Sequence, residues 1–173
     1  MNLPIAPYRN EIVKTLDANQ VMVLSGETGW WVHSCYILVR CYSPQPSCSG
    51  KSTQVPAFIL EEQLSRGLHC KIFCTEPRRI SAISLAQRVS LELGDAPGQV
   101  GTNASMVGYS IRLESNTSRN TRLAYVTNGI ALRMLEAGSG VGGKGTAFDE
   151  ITVRADVLSP EVRLTQCIAH RHR

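Results

Sequence analysis

Hydrophobic and polar positions alternate between two periods along this chain. Residues 6–18 place Ile12, Val13 and Leu16 on one helical stripe, and Asn19 follows as a stop. Val21 to Leu24 is a continuous apolar run that ends in Ser25-Gly26, the pattern of a strand buried on both faces. Residues 50–65 return to a helical pattern, with a bend expected at Pro56 and a close at Gly67. Residues 70–75 predict a second strand. Residues 78–93 predict a helix that buries Ile80, Ile83, Leu85, Ala86, Val89 and Leu93 and stops at Gly94. Strands are expected at 107–113 and 122–127, and a helix at 129–137 ends on Gly138. Strands alternating with helices predict an α/β layer with a mostly parallel sheet.

Two stretches break this rhythm. Residues 30–48 hold both tryptophans, three of the six cysteines and two of the five tyrosines, with no clean period. A zinc site at His33, Cys35, Cys41 and Cys48 is the alternative reading, but its spacings match no common zinc pattern. Residues 138–146 (G-S-G-V-G-G-K-G-T) read as a glycine-rich loop, because no strand precedes them and no helix pattern follows. After Thr152 the helix and strand signals fade, and Pro160 with the ending I-A-H-R-H-R predicts a frayed tail.

Composition narrows the class. The chain has 173 residues, 43% of them hydrophobic and 18% charged, which suits one globular domain and argues against global disorder. No apolar run is long enough to cross a bilayer, and the N-terminus lacks the pattern of a secretion signal. With no C-x-x-C and no secretion signal, the cysteines read as free thiols in a reducing compartment, cytoplasmic or nuclear. The net charge is +4, but residues 30–48 and 153–173 carry most of it, so overall charge is no argument for a nucleic-acid partner.

The candidate chemistry lies in a divided motif. A phosphate loop needs G-x-x-x-x-G-K-[ST] between a strand and a helix, so that backbone N–H groups and the helix start converge on phosphate. Here the strand at 21–25 leads into G-E-T-G at Gly26–Gly29, and S-G-K-S-T at Ser49–Thr53 opens a helix. Joined, the halves form a full match. As written, 19 residues (30–48) lie between them, and they read as a foreign insert, in origin a retained intron translated in frame. Such an excursion costs about 2.6 kcal/mol of closure entropy plus a constant. Its larger effect is geometric: the chain leaves the turn whose N–H groups must converge, and Trp30 and Trp31 are expected where a nucleotide would lie.

These residues resemble the DEAH-box (DEAH/RHA) ATP-dependent RNA helicases. The lead-in L-P-I-A-P-Y-R-N-E-I at Leu3–Ile12 and G-E-T-G…S-G-K-S-T-Q-V-P at Gly26–Pro56 resemble the family's lead-in and motif I. T-E-P-R-R-I-S-A-I-S-L-A-Q-R-V at Thr75–Val89 resembles motif Ia. V-G-Y-S-I-R-L-E-S at Val107–Ser115 is similar to the following strand, and Y-V-T-N-G-I-A-L-R-M-L at Tyr125–Leu135 resembles motif Ib. The resemblance implies the N-terminal part of a RecA-like domain over 1–152, interrupted at 30–48, with 153–173 outside the family pattern.

The resemblance also implies roles. ATP would meet Gly26, Glu27, Thr28, Gly29, Ser49, Gly50, Lys51, Ser52 and Thr53, with Lys51 on the β- and γ-phosphates, Ser52 on Mg²⁺ and Arg88 against the adenine. Arg78, Arg79 and Thr127 would face RNA, touching its backbone. RNA and helicase cofactor proteins are the implied partners. The family's D-E-x-H does not appear in this sequence; Asp149-Glu150 falls in the segment before the strand that would carry it. Its second RecA-like domain is not found either. The expectation is therefore a helicase fragment inactive as written. The alternatives are a non-catalytic RNA- or partner-binding module and the non-functional product of a mis-spliced gene.

Overall fold

A computed structural model describes residues 3, 5–19, 21–27, 50–138, 151–157 and 164–170. The readings for residues 30–48, the zinc alternative, Thr28, Gly29, Ser49 and Asp149-Glu150 fall outside them. In chain order, a 3₁₀ turn at Ala6–Tyr8 leads into α1 (Arg9–Ala18), then β1 (Val21–Glu27) and α2 (Lys51–Ser65). Next come β2 (Ile72–Glu76), α3 (Arg79–Glu92), β3 (Val107–Ile111) and β4 (Glu114–Asn116). Last are β5 (Leu123–Thr127), α4 (Asn128–Gly138), β6 (Ile151–Val157) and β7 (Leu164–His170).

The strands form one sheet in the order β1-β7-β6-β2-β5-β3-β4. Its centre is parallel: β6 pairs with β2, β2 with β5, and β5 with β3. β7 is antiparallel to both neighbours, β6 and β1, and β4 turns back antiparallel on β3. Two antiparallel steps restore direction, so β1 runs the same way as the parallel strands. This is the α/β layer that the alternating periods predict.

Strand alternation sorts the two faces. Ile72 and Cys74 of β2 lie level with Leu123 and Tyr125 of β5, and these four join one core with Ile12, Leu16, Val55, Ile59, Ala86 and Val89. That face therefore carries α1, α2 and α3. The intervening residues Phe73, Ala124 and Val126 pack on the other face with Ala131, Ile130 and Met134 of α4. Arg66, just past α2, bonds Asp17 of α1 at 2.6 Å and Glu62 at 2.8 Å, pinning the two helix ends together.

Three local expectations change. Ile80 does not join the buried side of α3; it is 78% exposed, because the first turn of that helix lies beyond the end of the sheet, while Ala82 and Ser90 are buried instead. The strand expected over 107–113 ends at Ile111. Leu113 takes a left-handed φ of 72° and the chain folds back as β4, a polar strand that resembles a loop in sequence. The tail read as frayed contains β6 and β7, and β6 stands beside β2 despite Arg154 and Asp156. Backbone pairing to a ready neighbour supplies what its side-chain pattern does not advertise.

Candidate phosphate and nucleic-acid site

The strands that matter end at one edge. β2 runs out at Glu76 and passes through Pro77-Arg78 into α3; β5 runs out at Thr127 and becomes α4 without a break. β1 ends at Glu27 on the same edge, and Gly50 opens α2. The C-terminal edge of a parallel sheet, where helices begin, concentrates unpaired N–H groups and favours anions.

At the α2 start the geometry suits phosphate. Gly50 is the N-cap residue with φ 81°, a left-handed conformation. A Cβ there would lie 3.1 Å from Leu3 Cδ1 and 3.2 Å from Ile5 Cγ2, so the lead-in segment packs directly under this turn. Lys51, the first helical residue, is only 5% exposed. Thr53 Oγ1 donates to the Gly50 carbonyl at 3.3 Å and the Gln54 N–H donates to it at 2.7 Å, which fixes the first turn. Gly26 and Glu27 end β1, level with Thr165 and Leu164 of β7.

The turn has a further support. Pro56 sits inside α2 and has no N–H to give to the carbonyl four residues earlier, which belongs to Ser52. Tyr125 of β5 donates its hydroxyl to that carbonyl at 3.0 Å.

Arg88 is joined to the same helix. Its Nε donates to Glu92 Oε1 at 2.8 Å, and Gln54 Nε2 donates to the other oxygen of Glu92 at 2.8 Å. One carboxylate thus connects Arg88 with the first turn of α2. Arg78 and Arg79 are exposed at the start of α3, roughly 14 Å back along its axis. Thr127 is buried at the end of β5, level with Glu76 of β2, so the residues expected to face RNA gather at one corner of the edge.

Sequence reasoning missed Glu76, Glu92 and Tyr125. Glu76 is 6% exposed and its Oε1 has no hydrogen-bond partner; burial pushes its carboxyl up to about 7. Thr75 Oγ1 and Asn128 Oδ1 are likewise buried without a partner. The one available signal was for Tyr125: a proline within a helix calls for a substitute donor, though not for this one. A cavity of about 300 Å³ lies between the C-terminal half of α3 and the β3–β4 hairpin, lined by Gln87, Tyr109 and Asn116 among others. None of the residues singled out in the sequence lines it. Among the described residues no group of acidic, histidine or cysteine side chains is set to hold a metal ion, and no helix is long and apolar enough to cross a membrane.

The chain is 46% identical over 137 residues to the ATP-dependent RNA helicase DHX29 of Mus musculus, which covers 78% of this chain and 9% of that protein. The DEAH/DExH-box helicase family is where this chain belongs. The DExH-box ATP-dependent RNA helicase DExH1 of Arabidopsis thaliana is 44% identical over 135 residues, 77% of this chain and 11% of its own length. The putative DEAH-box ATP-dependent helicase UM11114 of Mycosarcoma maydis is 38% identical over 173 aligned positions, 94% of this chain and 10% of that protein. The chain therefore spans about a tenth of the length of these helicases. No family model matches it.

Proposed function

We propose that this helicase segment forms the nucleotide-facing and RNA-facing edge of an ATP-binding domain. The observation that carries the reading is the shared edge: β2 and β5 each feed a helix start there, α2 opens on Gly50 and Lys51, and β1 ends on the same edge, with β7 and β6 between it and β2. Gly26, Glu27, Thr28, Gly29, Ser49 and Gly50 would line the phosphates with backbone, and Thr53 braces their turn. Lys51 would meet the outer phosphates and Ser52 would ligate Mg²⁺. Bound Mg²⁺ and ATP would supply a polarised phosphoanhydride. The left-handed Gly50 and the buried Lys51 at a helix start fit such a group. Arg88 would lie against the base, held by Glu92. Arg78 and Arg79 bind phosphate by fork geometry and read no sequence, so they and Thr127 would meet the RNA backbone.

As the sequence stands, residues 30–48 keep the two halves of the phosphate loop apart. We expect the full chain to bind no ATP at about millimolar nucleotide, the weak end of the affinity scale. Deleting 30–48 makes Gly29 and Ser49 neighbours and restores Mg²⁺-dependent binding, which Lys51→Ala in the deleted chain abolishes. Hydrolysis stays at background in both, because the sequence has no D-E-x-H. Calorimetric titration of ATP–Mg²⁺ into the three proteins tests this; tight binding by the full chain refutes it.

A second reading, RNA holding without hydrolysis, is favoured by the exposure of Arg78 and Arg79, which does not depend on the phosphate loop. RNA titration across a salt series tests it, since phosphate contacts weaken steeply with salt. Both readings place the protein with RNA, in cytoplasm or nucleus, and leave room for helicase cofactor proteins.

A further inference from the structure

The bond from Tyr125 to Ser52 joins two regions that the proposed function assigns to different ligands. Ser52 belongs to the first turn of α2, on the phosphate side. Tyr125 belongs to β5, two residues before Thr127 and on the same sheet face, at the RNA-facing end. The phenol is 0% exposed, and its strand is paired on both sides, with β2 and with β3. A side chain so confined cannot absorb a movement of its strand by turning away. The carbonyl it serves lacks the usual helical donor four residues on, because Pro56 has no N–H. A movement of β5 at Thr127 would therefore reach Ser52, whose turn is tied together by the Gly50 carbonyl accepting from Thr53 and Gln54.

We infer that Tyr125 is a positioning residue that couples RNA contact at the end of β5 to the order of the α2 first turn. This rests on the RNA-facing reading proposed above. It adds a route by which an occupied RNA face would prepare the phosphate side before any nucleotide arrives.

The test uses the full chain, a single-stranded oligouridylate at low salt, and amide hydrogen exchange across residues 52–55. RNA should slow exchange there by about tenfold in the unaltered chain, within the usual range of intersite coupling. Tyr125→Phe removes only the hydroxyl, and should bind RNA equally well without the slowing. Because Tyr125→Phe also strands a carbonyl, the deciding protein is Pro56→Ala/Tyr125→Phe, in which the restored N–H serves Ser52 within the helix. That double variant should regain stability but not the slowing, while Pro56→Ala alone should keep it.

Slowing that persists without the hydroxyl, or that disappears in Pro56→Ala alone, overturns the inference. RNA binding to the unaltered chain with no change at residues 52–55 overturns it too, and leaves the RNA face standing. No RNA binding by the unaltered chain removes the RNA-facing reading and this inference together.

Discussion

Glu76 lies level with Thr127 across the β2–β5 pair, both buried at the strand ends, and the glutamate has a carboxylate oxygen that nothing satisfies. Two residues further on, Arg78 begins the exposed basic corner. The corner thus combines an exposed pair of guanidinium groups with a buried acid held near its point of ionisation.

That acid makes stability depend on pH. Its carboxyl is pushed from 4.5 up to about 7 by burial. Below about pH 4.5 both states hold the proton. Between about 4.5 and 7 the unfolded chain releases it and the folded chain does not, so stability from this group falls as pH rises. Above 7 the loss is complete, at about 3 kcal/mol as an upper bound. Urea unfolding of Glu76→Gln from pH 4 to 8 should show a flatter profile and a gain at the alkaline end. A profile unchanged from the parent would mean that Glu76 ionises freely.

Gly50→Ala should destabilise the turn before α2. The new Cβ meets Leu3 and Ile5 at 3.1 and 3.2 Å and the backbone stands at φ 81°. The left-handed conformation alone costs about 1–2 kcal/mol for a residue with a Cβ. Ile5→Ala, at a fully buried side chain in the same contact, should cost about 2–5 kcal/mol. Denaturant midpoints of the two single variants check both.

Asp95 accepts the hydroxyls of Ser90 and Ser105, each at 2.6 Å, and both serines are buried. Asp95→Ala should cost about 1–3 kcal/mol, since stranded donors are expensive. Asp95→Asn should cost less, because an amide oxygen can accept from both serines. The two serine oxygens lie 3.4 Å apart, so part of the loss in the alanine variant is recovered between them. Thermal unfolding of the pair of variants separates these terms.

Ile80→Gln should leave stability within about 0.5 kcal/mol of the parent, as surface changes do. Val89→Ala, on the buried side of the same helix, should cost about 1–3 kcal/mol. Equal losses at the two positions would place Ile80 in the core after all.

Much of the layer was legible along the chain. The stripe of Ile12 and Leu16, the stop at Gly94 and the apolar runs around Ile72 and Leu123 set local structure by period and by backbone preference, which need no distant partner. Lys51 and Ser52 at a helix start and Arg78 at the next were legible because motif and local structure share one stretch of sequence. What needed the tertiary structure was whatever depends on who stands opposite. β4 is polar on every residue and exists only because β3 offers it an edge. β6 and β7 take central positions against their side-chain pattern because strand order is settled by pairing between distant segments. Ile80 is apolar and exposed because the sheet ends before it. Glu76 is acidic and buried because it ends β2 level with Thr127, in phase with Ile72 and Cys74 on the sheet face that α1, α2 and α3 cover. Tyr125 and Ser52 lie 73 positions apart. The sequence determined that a proline in α2 would leave a carbonyl unserved; only the packing of α2 on β5 decided which hydroxyl would serve it, because hydrogen-bond geometry is a property of approach and not of order along a chain.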